Sequence, residues 1–208
     1  MNYVKPCDNL RQTLREATAD AHDRLDGTMR AVAGWTTLAD YTRFLTLQYC
    51  ARLPVEAWLE AHAPDDLRPP EQCSLIALDL GALGVALPSD MPRFDPPRAP
   101  GGVGDAKHSS ALGTAWVLAG SSLGNRAILA EIRRLTSREG WPAWPAHFLG
   151  DARMLEFWRG LRTQIEDSAE TETVLVAIQS ASLVFDHFIA HADTAQEALK
   201  QKGTEKTL

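Results

Sequence analysis

Between Gly113 and Asn125 the chain reads GTAWVLAGSSLGN, a stretch of helical character that nonetheless carries three glycines. A glycine inside a helix costs about 1 kcal/mol relative to alanine, because it gives up more backbone freedom on folding. At about 100° per residue, Gly113, Val117, Gly120, Gly124 and Ala127 fall on one narrow strip. Such a helix can bring bare main chain against something flat. The residues alone leave two partners open. One is a second helix at close approach, the commoner cause of small residues at helical spacing. The other is a planar ligand, which requires a ligand-binding side chain elsewhere in the chain.

The rest of the sequence divides into helices. Asp8 or Asn9 can cap the first, in which Leu10, Leu14, Ala17, Ala21, Leu25 and Met29 recur at helical spacing, and Gly34 is the expected stop. A second helix is expected from Thr37 to His62, with Tyr41, Phe44, Leu45, Tyr49, Leu53 and Trp58 on its apolar side. Pro54 should kink it or divide it in two. A shorter helix is expected over Glu71–Leu83. Residues 88–104 hold five prolines and three glycines and read as a loop, extending to residue 108. Its length suggests a surface excursion or a lid. Ser109 or Ser110 can cap the glycine-bearing helix, which should run to Arg138. GWPAWP at 140–145 breaks the chain again. Helices then follow over 152–167 and 172–200, before a polar tail at 201–208. There is no sustained alternation of period two and no internal repeat. The expected fold is all-α, a single-domain helical bundle over residues 1–208 with a core at about 9–200.

Composition narrows the partners. A net charge of −6, with no run of Lys and Arg interleaved with aromatics, argues against nucleic acid. Cys7, Cys50 and Cys73 are odd in number and never at CxxC spacing, which fits free thiols in a reducing compartment. The first residues lack an apolar signal core, and no stretch is expected to supply the roughly 20 apolar residues that cross a bilayer. The expectation is a cytoplasmic protein with no membrane partner.

His22 is the candidate ligand-binding residue. On the wheel of the first helix it falls about 20° beyond Met29, at the edge of the apolar arc, with Arg15 two turns earlier and about 20° away. An imidazole there can take a metal while a guanidinium pairs with a carboxylate. The bland alternative is a boundary histidine with a local hydrogen bond, the commoner fate of a lone helical histidine. His187 and His191 share a helix face at i and i+4, but no acidic residue completes a metal set between them. His62, His108 and His147 read as surface residues. Trp141 and Trp144 read as anchors of a turn. No Gly-x-Ser-x-Gly elbow, phosphate-binding loop or dinucleotide fingerprint is present.

Two of these segments together resemble a known family. LREATADAH, ending at His22, is similar to the proximal helix of heme oxygenases, and GSSLG at 120–124 is similar to their distal helix; order and separation both agree. Weaker echoes lie at Phe148-Leu-Gly, Phe157-Trp-Arg and ASLVF at 181–185. The resemblance is greatest to the bacterial, bacteriophytochrome-associated branch and spans about Asn9 to Asp193. It implies His22 as the iron ligand and Gly120 and Gly124 as main-chain contacts over the heme. Ser121 would form part of a distal water network, and Arg15 and Arg159 would be partners for the propionates. Asn125 stands where the family carries a second glycine and would crowd or hydrogen-bond near that face. The implied activity is oxidative opening of heme to biliverdin, carbon monoxide and ferrous iron. Heme would be both substrate and prosthetic group, an external reductase or ferredoxin would supply electrons, and a bacteriophytochrome is a candidate acceptor. The alternatives are a heme-binding or sensing protein that leaves heme intact, and an all-α protein with no cofactor.

Overall fold

The computed structural model describes residues 9–89, 91, 93–94, 104–165 and 171–205, and the regular elements among them are all helical. Helix α1 spans Leu10–Val32. Asn9 caps it, its side-chain oxygen accepting from the Gln12 N–H at 3.1 Å. Gly34, at φ +66°, closes it, its N–H reaching Met29 O at 3.3 Å. A left-handed residue is needed there, and only glycine takes that conformation without a Cβ penalty. Helix α2, Leu38–His62, begins on Thr37, whose hydroxyl accepts from the Asp40 N–H. It continues through Pro54 as one element, so the expected division does not occur. Ala51, Val55 and Leu59 flank the proline and all enter the core, which keeps both halves helical.

Helix α3 covers Cys73–Ala82. Helix α4, Gly104–Glu139, starts earlier than expected. Ser109 and Ser110 lie inside it and are buried, so neither caps it, and residues 104–108 are helix rather than loop. Burial of 109–112 in the core outweighs the weak helix propensity of serine. Most of the expected loop over 88–104 lies outside the described residues.

Helix α5, His147–Gly150, was not anticipated. It is a single turn that exists because Asp79 of α3, wholly buried, accepts from the backbone N–H groups of His147 (2.9 Å) and Phe148 (3.0 Å). The Asp79 carboxylate also takes the His147 ring nitrogen at 2.7 Å, so His147 is more than a surface residue. Helix α6 covers Ala152–Gln164, and α7 covers Thr171–Glu205. Trp144 stacks on Tyr41 and anchors the turn before α5, whereas Trp141 is exposed and stacks only on Trp144. Burial raises the Tyr41 phenol above its usual range.

The spine of the bundle is α7, with α1 and α4 packed along it and α2 touching it. Contrary to the expectation above, α7, over Glu172–Gln201, is long and apolar enough to cross a bilayer by length and composition alone. Helices α4 and α7 run in the same direction. Their N-terminal halves share one core cluster (Ala111, Ala115, Leu118 with Val174, Ala177, Val184), and their C-terminal halves share a second (Leu129, Ile132 with Ala192). Cys50 and Cys73 are free thiols, both pushed up by burial; Cys7 lies outside the described residues.

Candidate functional site

The glycine strip of α4 separates into three environments. At Gly113 an added Cβ would lie 2.0 Å from Ala177 O, so this glycine lets α4 and α7 touch backbone to backbone. That is the helix-packing explanation, and it holds here. At Gly120 a Cβ would meet only the ring edge of Trp158 from α6, at 3.7 Å, an ordinary contact. At Gly124 it would meet nothing within 4 Å. Packing therefore does not account for Gly124, which presents bare main chain outward beside Leu123, itself 54% exposed.

His22 lies on α1, which packs on α7 as α4 does. The buried face of α1 consists of Leu10, Leu14, Thr18, Met29 and Val32, so Thr18 takes the place given to Ala17, which is exposed. Thr18 enters the core because its hydroxyl is satisfied by Leu14 O at 2.8 Å. His22 lies past the edge of this face with its side chain 59% exposed. Its ring meets Phe185 of α7 edge-on at 6.0 Å, and Nδ1 is 3.8 Å from a carboxylate oxygen of Asp23 and from one of Asp26. Nδ1 thus faces two carboxylates beyond hydrogen-bond distance, which leaves Nε2 as the nitrogen turned away from them and the one to take a metal. Asp26 was missed in the sequence, where its spacing of four from His22 was the available signal.

Register along α7 sets the two motifs level. Gly113 abuts Ala177, and equal rise along helices running the same way carries Gly120 to the level of Val184 and Gly124 to that of Phe188. His22 contacts α7 at Phe185. Arg15 is exposed on α1, about 10 Å of helical rise before His22. Arg159 is exposed on α6, next to the Trp158 that packs on Gly120.

Ser121 and Asn125 are placed differently. Ser121 points toward α2: its hydroxyl donates to Leu118 O at 2.7 Å and accepts from Arg52 at 2.5 Å. Asn125, four residues on and so on the same side, is buried, which sets it apart from the open Gly124 side that it was expected to crowd. Arg52 was not recognised in the sequence. A cation within an otherwise apolar helix face, between Gln48 and Glu56 at spacings of four, was its only trace.

The second histidine pair is half-buried at the edge of the core. His187 donates from Nε2 to Ala51 O at 3.1 Å and packs on Phe94, and His191 donates from Nδ1 to His187 O at 2.9 Å. Burial first, and then its neighbour His191, lower His187 to about 4. Its unfolded value is near 6.5, so between those values the unfolded chain binds the extra proton. This contribution to stability is complete above about pH 6.5 and is lost as pH falls toward 4. It is on the order of 1 kcal/mol once partial exposure is allowed for. Urea denaturation of the protein and of His187→Gln across this range should show a smaller slope in the variant; identical slopes would remove His187 from the account.

With this geometry in place, comparison with known proteins becomes informative. No family model matches the chain, and no curated protein matches it by sequence. A solved structure does: the heme oxygenase of Neisseria meningitidis, determined in its NO- and CO-bound forms, superposes with a TM-score of 0.61 over 90% of this chain and 92% of that one, at 18% identity. The chain has a heme oxygenase-like fold. That likeness is one of fold. An exposed imidazole on α1 is a donor that suits a heme iron, and on α4 the main chain at Gly124 is exposed with nothing within 4 Å of an added Cβ.

Proposed function

We propose that this protein is a heme oxygenase that opens heme to biliverdin, carbon monoxide and ferrous iron, with electrons from an external reductase or ferredoxin. What supports this reading is the exposed His22 imidazole, which meets α7 at Phe185, together with the uncovered main chain of Gly124 on α4, within a fold of this kind. His22 would hold the iron through Nε2, its ring resting edge-on against Phe185 and its Nδ1 facing Asp23 and Asp26. Gly120 and Gly124 would let the α4 backbone lie close over the opposite face. Exposed Arg15 and Arg159 would pair with the propionates. Bound heme would supply both the iron that activates dioxygen and the porphyrin edge that is oxidised. The resemblance to the bacteriophytochrome-associated branch makes a photoreceptor apoprotein the acceptor to test first.

One observation favours the alternative, a protein that binds heme without degrading it. The Ser121 hydrogen is committed to Leu118 O and one lone pair to Arg52, so Ser121 has an acceptor position to offer but no free proton. Single-turnover absorption with stoichiometric hemin and ascorbate or a ferredoxin system separates the readings. The enzyme should lose its Soret band and yield an extractable bile pigment. A band that persists under reductant and air would establish the binding protein instead. No saturable Soret shift on titration would exclude both.

A further inference from the structure

The buried guanidinium of Arg52 is the feature of this molecule that the reading above leaves unexplained. Arg52 is 1% exposed and lies at the meeting of four helices. Nε donates to Gln48 Oε1 at 3.0 Å, and one terminal nitrogen donates to Ser121 Oγ at 2.5 Å. The other terminal nitrogen is 3.9 Å from Glu56 Oε1 and makes no hydrogen bond, nor does that carboxylate oxygen. The guanidinium carbon lies 5.0 Å over the Phe148 ring of α5. The second Glu56 oxygen accepts from the N–H groups of Gln72 and Cys73 at the start of α3.

Burying a cation to fill space is a poor use of it, since an apolar side chain of the same volume is commonly neutral or stabilising in its place. What an apolar side chain cannot do is grip Ser121. That grip falls where α4 is least able to set its own course. Gly120 and Gly124 stiffen nothing, and Ser121 bonded back to Leu118 O loosens and bends the turn. We infer that Arg52 is a positioning residue: from α2, its fork fixes Ser121 and thereby the path of the Gly120–Gly124 main chain and the charge behind it. The titratable groups facing it are Glu56 on its own helix and Cys73 on α3; α4 and α5 present Ser121 and Phe148. The part of this inference that concerns a bound ligand rests on the heme reading.

Hydrogen exchange by mass spectrometry on the full chain without hemin tests the positioning. In Arg52→Met and Ser121→Ala, amides 119–125 should exchange about tenfold faster, while the C-terminal half of α7 keeps its protection. A folded variant in which 119–125 exchange at the wild-type rate, or in which every helix loosens alike, overturns the inference. If Arg52→Met does not fold, Ser121→Ala cuts the same contact without stranding Glu56 and decides the matter. The ferric hemin complex gives a second readout that packing alone would not move. Its pH-dependent Soret transition should rise by about one pH unit in Arg52→Met, because a nearby cation is lost and Glu56 is left uncompensated. It should stay near the wild-type midpoint in Arg52→Lys, which keeps the charge. An unmoved midpoint in Arg52→Met would reduce Arg52 to packing and overturn the proposal. A wild-type chain that binds no hemin would defeat the functional reading, and the exchange measurement would still decide the role of Arg52.

Discussion

Alanine at Gly113 is expected to destabilise the protein by about 3 kcal/mol. The added methyl would sit 2.0 Å from Ala177 O and 2.8 Å from its carbonyl carbon. Both are main-chain atoms with no rotamer to escape into, so α4 must lift from α7 along the contact around which the bundle is built. For a protein of this size the melting temperature should fall by roughly 6–12 °C. Gly124→Ala makes the control. A Cβ there meets nothing within 4 Å, and alanine is the better helix former by about 1 kcal/mol, so this variant should melt slightly higher than the parent. Thermal and urea unfolding of the two variants side by side provides the check. Equal stabilities would mean that α4 and α7 do not meet backbone to backbone.

His22→Ala should weaken hemin binding at least about tenfold, or about 1.4 kcal/mol, and abolish the Soret shift that marks an axial imidazole. The loss should be confined to the ligand, because His22 is largely exposed and outside the core; the unfolding midpoint of the protein without hemin should barely move. Free imidazole added to the variant should restore the spectrum by occupying the vacated coordination position. Wild-type affinity and an unchanged spectrum in His22→Ala would remove His22 as the proposed iron ligand.

The local features were legible because local physics fixes them. The cap at Asn9, the stop at the left-handed Gly34 and the break at Gly140 follow from which residue types can satisfy end groups or take positive φ. The position of His22 at the edge of the buried face follows from angle alone. Where local rules misled, a distant contact outweighed them. Pro54 stays within one helix because residues on both sides of it are buried in the core. Ser109 and Ser110 lose their capping role because burial carries the helix past them to Gly104. Helix α5 exists only because Asp79, 68 residues earlier, offers its carboxylate to the His147 N–H.

The sequence by itself determined an all-α chain and most of its helix ends, and it singled out two segments, at His22 and at Gly120–Gly124, for the proposed ligand. Tertiary structure decided what each glycine on the strip is for. Gly113, Gly120 and Gly124 are chemically identical and share one helix face. They differ only in what stands opposite: the backbone of Ala177, the ring of Trp158, and nothing within 4 Å. It also turned Arg52, a residue type that is usually solvated, into a buried tie between α2 and α4. Helical periodicity reports the direction in which a side chain leaves its own axis. What lies in that direction depends on residues dozens of positions away, and no local pattern carries that information.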